Sequence, residues 1–318
     1  MARHTAPDVI ERVEPQPVSS SRPLLVSLAL SLRPSQWTKN LFVFAALMFG
    51  QRLFEPTAVA QAVAAFVIFC ALSGVVYLIN DVADREADRR HPVKMHRPVA
   101  SGAVSIPLAI GTAAIIAALA LLAAFWLRPQ FGLVAVSYLA LLTLYSWLLK
   151  HAVIIDVLTI AIGFVLRVAA GAVAIGVHAS HWMYILMMLL ALFLALSKRR
   201  HELVLLADGA TGHRKILEEY SPYLLDQMIG VVTASTIVAY AFYTVSPETV
   251  EKFKTELLGL TLPFPLYGIF RYLYLVHQKE GGGSPSDMLL TDRPLLVCVG
   301  LWAATVAFII YSPALRGS

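Results

Sequence analysis

The sequence predicts an all-α integral membrane protein, and three observations predict it. Hydrophobic residues make up 58% of the 318 and charged residues only 14%, where soluble domains carry about 25% charged. The mean hydropathy is +0.71. Nine apolar runs approach the length a helix needs to cross a bilayer, at 40–54, 57–79, 105–127, 131–149, 153–176, 182–197, 222–245, 259–277 and 294–312. A soluble enzyme with an apolar core is excluded by the same figures.

The elements follow in chain order. Residues 1–21 are polar and proline-containing, with no apolar core of their own, and read as a disordered cytoplasmic tail. Residues 22–318 read as a single transmembrane catalytic domain. The apolar piece 24–32 follows a long polar lead and precedes no small-residue cleavage site, so it is not read as a signal peptide. Extended to residue 39, it forms an amphipathic piece that completes the short first span; the sixth span is also short. With the N-terminus cytoplasmic, eighteen of the 25 Lys and Arg fall on inside segments and five outside, while Arg167 and Arg271 lie within spans. The polar loops 80–104, 198–221 and 278–293 then share the cytoplasmic side of a cell membrane. The net charge of +5 reflects this topology and anionic headgroups, with no need of a nucleic-acid partner. Cys70 and Cys298 each sit in an apolar run and read as packing residues.

One stretch interrupts this apolar chain. Between the second and third spans, Asn80-Asp81-Val82-Ala83-Asp84-Arg85-Glu86-Ala87-Asp88 is followed by Arg89, Arg90, Lys94 and Arg97. Asp81, Asp84 and Asp88 fall at i, i+3 and i+7, which predicts that they share one helix face. Adjacent carboxylates repel unless a cation sits among them. Hard oxygen ligands at a membrane surface point to Mg²⁺ bridging carboxylates and substrate phosphate. Lys94 and Arg97 supply positive charge for the rest of such a group.

Further polar constellations surround it. In Arg33-Pro34-Ser35-Gln36-Trp37-Thr38-Lys39-Asn40, Trp37 suits the interface. Arg33 and Lys39 either touch lipid headgroups, or Lys39 and Asn40 point into a cytoplasmic cavity to hold phosphate or ribose. Ser197-Lys198-Arg199-Arg200-His201-Glu202 reads as a phosphate patch or as positive-inside anchoring, with Glu202 a metal ligand or a partner for Arg199. Tyr145, Lys150, Asp156 and Arg167 form an intramembrane polar set, and ionisable groups there mark a site by default. Asp156 and Arg167 share a helix face about 16 Å apart, too far to pair, so each needs another partner: a polar cavity is favoured, and a structural bridge to another helix is the alternative. The glycine run 281–283 lacks the lysine of a P-loop and reads as a lid or a connector.

The pattern Asn80-Asp81-x-x-Asp84-x-x-x-Asp88 after the second of nine spans resembles the UbiA superfamily of intramembrane prenyl-transferring enzymes, over nearly the whole chain after residue 22. Arg33–Asn40, the extension His91-Pro92-x-Lys94-x-x-Arg97-Pro98 and Ser197–Glu202 resemble its branch that makes arabinan precursors for cell envelopes. Typical aromatic prenyltransferases of the superfamily carry a second acid-rich motif after the sixth span. Here that position is basic, which suits two phosphorylated substrates. The resemblance implies Mg²⁺ on Asp81, Asp84 and Asp88, a phosphoribosyl pyrophosphate donor and a polyprenyl (decaprenyl-type) phosphate acceptor. It implies substrate contacts from Lys39, Asn40, Asn80, Lys94, Arg97, Tyr145, Lys150, Asp156, Arg167, Lys198, Arg199 and Glu202. A polyprenyl transferase acting on an aromatic acceptor is the alternative enzyme, and a transporter the alternative of another class. The oligomeric state stays open, a homo-oligomer included.

Overall fold

The computed structural model describes residues 23–207, 219–278, 288 and 291–312. The expected tail 1–21 and the glycine-rich stretch 281–287 lie outside the described residues. The described chain is helical throughout. It begins with α1 (Leu24–Ser31), a 3-10 segment over Pro34–Phe44 and α2 (Ala45–Phe49), then the long α3 (Pro56–Ala83). The charged loop holds α4 (Arg85–Arg90), a 3-10 turn over Lys94–His96 and α5 (Pro98–Ser101). Next come α6 (Ile106–Leu127), α7 (Pro129–Trp147), a 3-10 turn over Leu149–His151, α8 (Ile155–Ile175) and α9 (His181–Ala207). The last part comprises α10 (Pro222–Val245), α11 (Pro247–Phe253), a 3-10 turn over Leu257–Thr261, α12 (Pro263–Gln278) and α13 (Arg293–Tyr311).

Local chemistry sets these boundaries. Prolines open α3, α7, α10 and α11, where the missing N–H costs nothing. Ser221, Ser246 and Asp292 cap α10, α11 and α13 by accepting from backbone N–H groups of the first turn. Gly176 ends α8 at φ +69.

Among the described residues, seven helices are long and apolar enough to cross a membrane: α3, α6, α7, α8, α9, α10 and α13. The sequence suggested nine, and the two that differ are broken or short. The 40–54 run is divided between the 3-10 segment, α2 and a turn that precedes α3. The 259–277 run begins in a 3-10 turn, leaving α12 with 16 residues, about 24 Å against a hydrocarbon core of about 30 Å.

Two of the five apolar clusters among the described residues lie next to the charged end of the bundle or along its length. Phe69, Leu72, Phe131 and Tyr138 join α3 and α7 to α6, α8 and the 3-10 segment. Phe193, Leu196, Leu225 and Tyr272 join α9, α10 and α12. Gly171 lets the 3-10 segment lie directly on α8, since a β-carbon there would come within 1.9 Å of the Val43 carbonyl oxygen. Outward-facing Leu119, Leu122 and Trp126 on α6 are exposed, as a lipid-facing helix requires.

Candidate functional site

Ion pairs gather the charged groups at one end of the bundle. Arg33, the acid loop, Lys150, Asp156, Arg199–Glu202, Tyr220, Asp226 and His277 all meet there. The opposite end is closed by other contacts, such as the Tyr311 hydroxyl donating to the Leu47 carbonyl.

The acid motif does not continue one helix. α3 stops at Ala83, Asp84 caps it at φ −95 and ψ 6, and the chain restarts as α4. The expectation of a single shared helix face for Asp81, Asp84 and Asp88 is therefore corrected. Cations between the carboxylates organise them instead. Asp81, nearly fully buried, accepts through Oδ1 from Arg33, and from Arg97 Nη1 at 3.3 Å. The same Arg97 nitrogen donates to Asp88 Oδ2 at 2.6 Å, so one guanidinium bridges two acids. Asp84 accepts from the buried Lys150 ammonium. Arg33 also lies over the Tyr77 ring, 4.7 Å from its centroid. Asn80 supplies the carbonyl that accepts from the Asp84 N–H at 2.9 Å.

The loop beyond is braced locally. Arg89 Nε donates to the Ala100 carbonyl at 2.9 Å. His91 Nδ1 accepts from the N–H groups of Val93 and Lys94. Burial, then the neighbouring Lys94 charge, hold the His91 pKa below its ordinary value, which keeps the ring neutral and Nδ1 free to accept. Lys94 and Lys39 are both half-buried on this end.

The Ser197–Glu202 stretch is a clamp between helices. Arg199, buried, donates through Nε to Asp156 Oδ2 at 2.9 Å and through Nη1 to Glu202 Oε2 at 2.6 Å. Its Nη2 reaches the Tyr145 hydroxyl at 3.4 Å. Arg200, about 100° around α9, grips Asp226 at the start of α10 at 2.5 Å. Lys198 stays close to half exposed, 3.9 Å from Glu202. Asp156 also accepts at Oδ1 from the Tyr220 hydroxyl at 2.9 Å, and burial pushes the Tyr220 pKa up to about 12.

Arg167 lies deeper. It donates to Asn40 Oδ1 at 2.8 Å, to the Gly163 carbonyl at 2.9 Å and to the Tyr138 hydroxyl at 2.7 Å. Ser73 ties Asn40 to Tyr138, and the guanidinium lies 4.9 Å from the Phe164 ring centroid. Among the described residues no carboxylate pairs with Arg167. The polar cavity expected around Asp156 and Arg167 is corrected too: each is enclosed in its own hydrogen-bonded network. Sequence reasoning missed Arg33 as a partner of Asp81, and it missed Tyr138, Tyr220 and His277. Three of these four are aromatic residues whose polar tip is visible only once a partner is known.

Hard carboxylate oxygens are the right donors for Mg²⁺. Among the described residues no three acidic, His or Cys side chains converge as a metal-holding group. The acids instead take Arg33, Arg97 and Lys150 through one oxygen each: Oδ1 of Asp81, Oδ1 of Asp84 and Oδ2 of Asp88. The oxygens are of the kind Mg²⁺ takes, and in this arrangement Arg33, Arg97 and Lys150 hold them.

An apolar groove of about 230 Å³ runs between α3, α6 and α7, lined by Val75, Ile79, Val82, Ile110 and Thr143 among others. Its wall on α3 therefore ends one residue from Asp81.

The profile of the UbiA prenyltransferase family matches residues 40–290. A decaprenyl-phosphate phosphoribosyltransferase of Mycolicibacterium smegmatis is 33% identical over 312 residues, covering 94% of this chain and 97% of that protein. One of Corynebacterium glutamicum is 32% identical, covering 88% and 86%. Among solved structures, a UbiA homologue from Archaeoglobus fulgidus bound to GPP and Mg²⁺ superposes with a TM-score of 0.69 at 20% identity, over 89% of this chain and 99% of that one. Acid motif, helical bundle and full-length relatives agree, and the chain belongs to the UbiA prenyltransferase family.

Proposed function

We propose that the protein transfers a 5-phosphoribosyl group from phosphoribosyl pyrophosphate to a polyprenyl phosphate, releasing diphosphate. The reaction takes place at the cytoplasmic face of the cell membrane and serves precursors of cell-wall arabinan. The observation that carries this reading is the three-acid, three-cation cluster of Asp81, Asp84 and Asp88 with Arg33, Arg97 and Lys150. The names of the full-length relatives, decaprenyl-phosphate phosphoribosyltransferases, support transfer of a phosphoribosyl group to a polyprenyl phosphate.

In the transfer the bond from ribose C1 to a diphosphate oxygen breaks, and a bond from C1 to an oxygen of the lipid phosphate forms. That phosphate is ionised near neutral pH, so no strong general base is needed. Negative charge grows on the leaving diphosphate, and preorganised positive charge is what a site contributes most. Mg²⁺, when held by Asp81, Asp84 and Asp88, adds to that charge. Arg33, Arg97 and Lys150 already stand beside these acids and hold phosphate oxygens. Lys39, Lys94 and Lys198 extend the positive field, and Asn80 fixes the start of the acid loop. Asn40, Tyr145, Asp156, Arg167, Arg199 and Glu202 form the frame that positions them, each closed in hydrogen bonds of its own. The groove along α3 takes the start of the lipid tail, and residues 22–318 act as one catalytic domain.

The test incubates purified protein with labelled phosphoribosyl pyrophosphate, polyprenyl phosphate and Mg²⁺. Label passing into the organic phase, and prevented by EDTA, is the expected result. No transfer, with prenylation of an aromatic acid from a polyprenyl diphosphate instead, moves the chain to the other enzymatic branch. Flux without conversion makes it a transporter.

A further inference from the structure

Four non-glycine residues among those described have positive φ, and Ile154 is the β-branched one, at φ +69 and ψ −43. A β-branched residue is strongly disfavoured there, because its side chain crowds the backbone. The Ile155 N–H donates to the Val153 carbonyl at 2.8 Å, so Ile154 is the centre of a three-residue γ-turn of the rare, strained hand. Such a turn persists only where its surroundings over-determine it. Side-chain packing does not do so, since Ile154 is 45% exposed.

Hydrogen bonds hold it instead. The Ile154 N–H donates to the Tyr220 hydroxyl at 2.8 Å, and that hydroxyl donates to Asp156 Oδ1 at 2.9 Å. Tyr220 and Asp156 are both buried, and Arg199 fixes the other oxygen of Asp156. Only four positions before Ile154, in the turn over Leu149–His151, Lys150 reaches back to Asp84. The short link between α7 and α8 is thus pinned twice: to the acid motif at Lys150, and to Tyr220 and Asp156 at its strained end.

We infer that Tyr220 is a positioning residue whose hydroxyl holds the strained turn at Ile154 and, through that turn, seats the Lys150 ammonium against Asp84. Its consequence for the reaction rests on the reading that Lys150 holds donor phosphate; its geometry does not. Tyr220 keeps its ring in the apolar cluster with Phe193 and Leu225, so Tyr220→Phe removes the hydroxyl while leaving that packing in place.

The experiment measures the rate at which an amine-reactive reagent labels Lys150, by peptide mass spectrometry, on the full chain without substrates. Lys150 is 6% exposed and is expected to react slowly in the parent protein. Tyr220→Phe is expected to raise its labelling about fivefold, the factor that about 1 kcal/mol for one hydrogen bond represents. Lys252 and Lys254, at the far end, keep their rates. Adding Ile154→Gly to Tyr220→Phe is expected to bring Lys150 back toward the parent rate, because glycine adopts positive φ without strain. Unchanged Lys150 labelling in Tyr220→Phe overturns the inference. So does a rise that Ile154→Gly fails to reverse, or one that Lys252 and Lys254 share, since a general loosening would produce it. In the transfer assay, Tyr220→Phe is expected to raise KM for phosphoribosyl pyrophosphate and to lower kcat as well, because the same ammonium holds the donor and meets the charge growing on its leaving group. If the parent protein does not transfer phosphoribose, the functional reading falls while the labelling result still decides the role of Tyr220.

Discussion

Asp81 accepts from two guanidinium groups through a single oxygen, and Asp84 takes a lysine that is itself buried. Replacing either acid by asparagine preserves shape and removes the charge that both the resident cations and a metal need. Asp81→Asn and Asp84→Asn are each expected to lower phosphoribosyl transfer by about 10²-fold or more, with expression little changed. Near-parent initial rates in both variants would remove these acids from the site. At this scale the sequence singled out the acids, and two of the three bases, that these ion pairs join. It did not pair Arg33 with Asp81, because 48 residues separate them and the arginine stands in a segment that also suits headgroups.

The elements are tied by two kinds of contact with different costs. Arg199 and Arg200 are neighbours in sequence but not in environment. Arg199 and Asp156 are both buried, whereas Arg200 and Asp226 are partly exposed. Arg199→Ala leaves the Asp156 charge buried without its guanidinium partner, and about 3–5 kcal/mol of stability is expected to go with it. Arg200→Ala is expected to cost about 1 kcal/mol or less. Unfolding in mixed micelles with increasing SDS measures both, and equal losses would refute the distinction. Gly171 makes the second kind of contact. Gly171→Ala drives a methyl into the Val43 carbonyl and is expected to cost about 1–3 kcal/mol. Gly163→Ala, whose added carbon meets Leu142 at an ordinary 3.4 Å, is the matched control and is expected to be tolerated. Sequence patterning found the helices well, since each spanning run is long and uniformly apolar. It does not anticipate the breaks in the first and eighth runs, because hydropathy does not register whether an apolar segment is α or 3-10, or where a proline restarts it.

The proposed orientation of the whole molecule rests on charge separation. The end that holds the acid loop is the end the basic residues assign to the cytoplasm. Met95 lies in that loop and Glu251 on α11 at the other end, both exposed. A membrane-impermeant maleimide applied to intact cells is expected to label Glu251→Cys and not Met95→Cys, and to label both after permeabilisation. The two native cysteines are buried and contribute little background. The reverse pattern would place the charged end outside and remove a soluble cytoplasmic donor from the reading.

By itself the sequence determined the membrane environment, the helical class, the side on which polar chemistry collects and the acid motif. These depend on composition and on spacing along one chain, and both are legible without a fold. The tertiary structure alone decided the partners. The sequence left Asp156 and Arg167 between a polar cavity and a bridge to an unnamed helix. The fold instead gives Asp156 to Arg199 and Tyr220, and it stabilises Arg167 with Asn40, Tyr138 and a backbone carbonyl. The physical reason is that a charge in a low-dielectric interior must be satisfied by whatever the packing brings near it. Those neighbours come from helices up to 127 positions away in sequence, a distance over which periodicity carries no information.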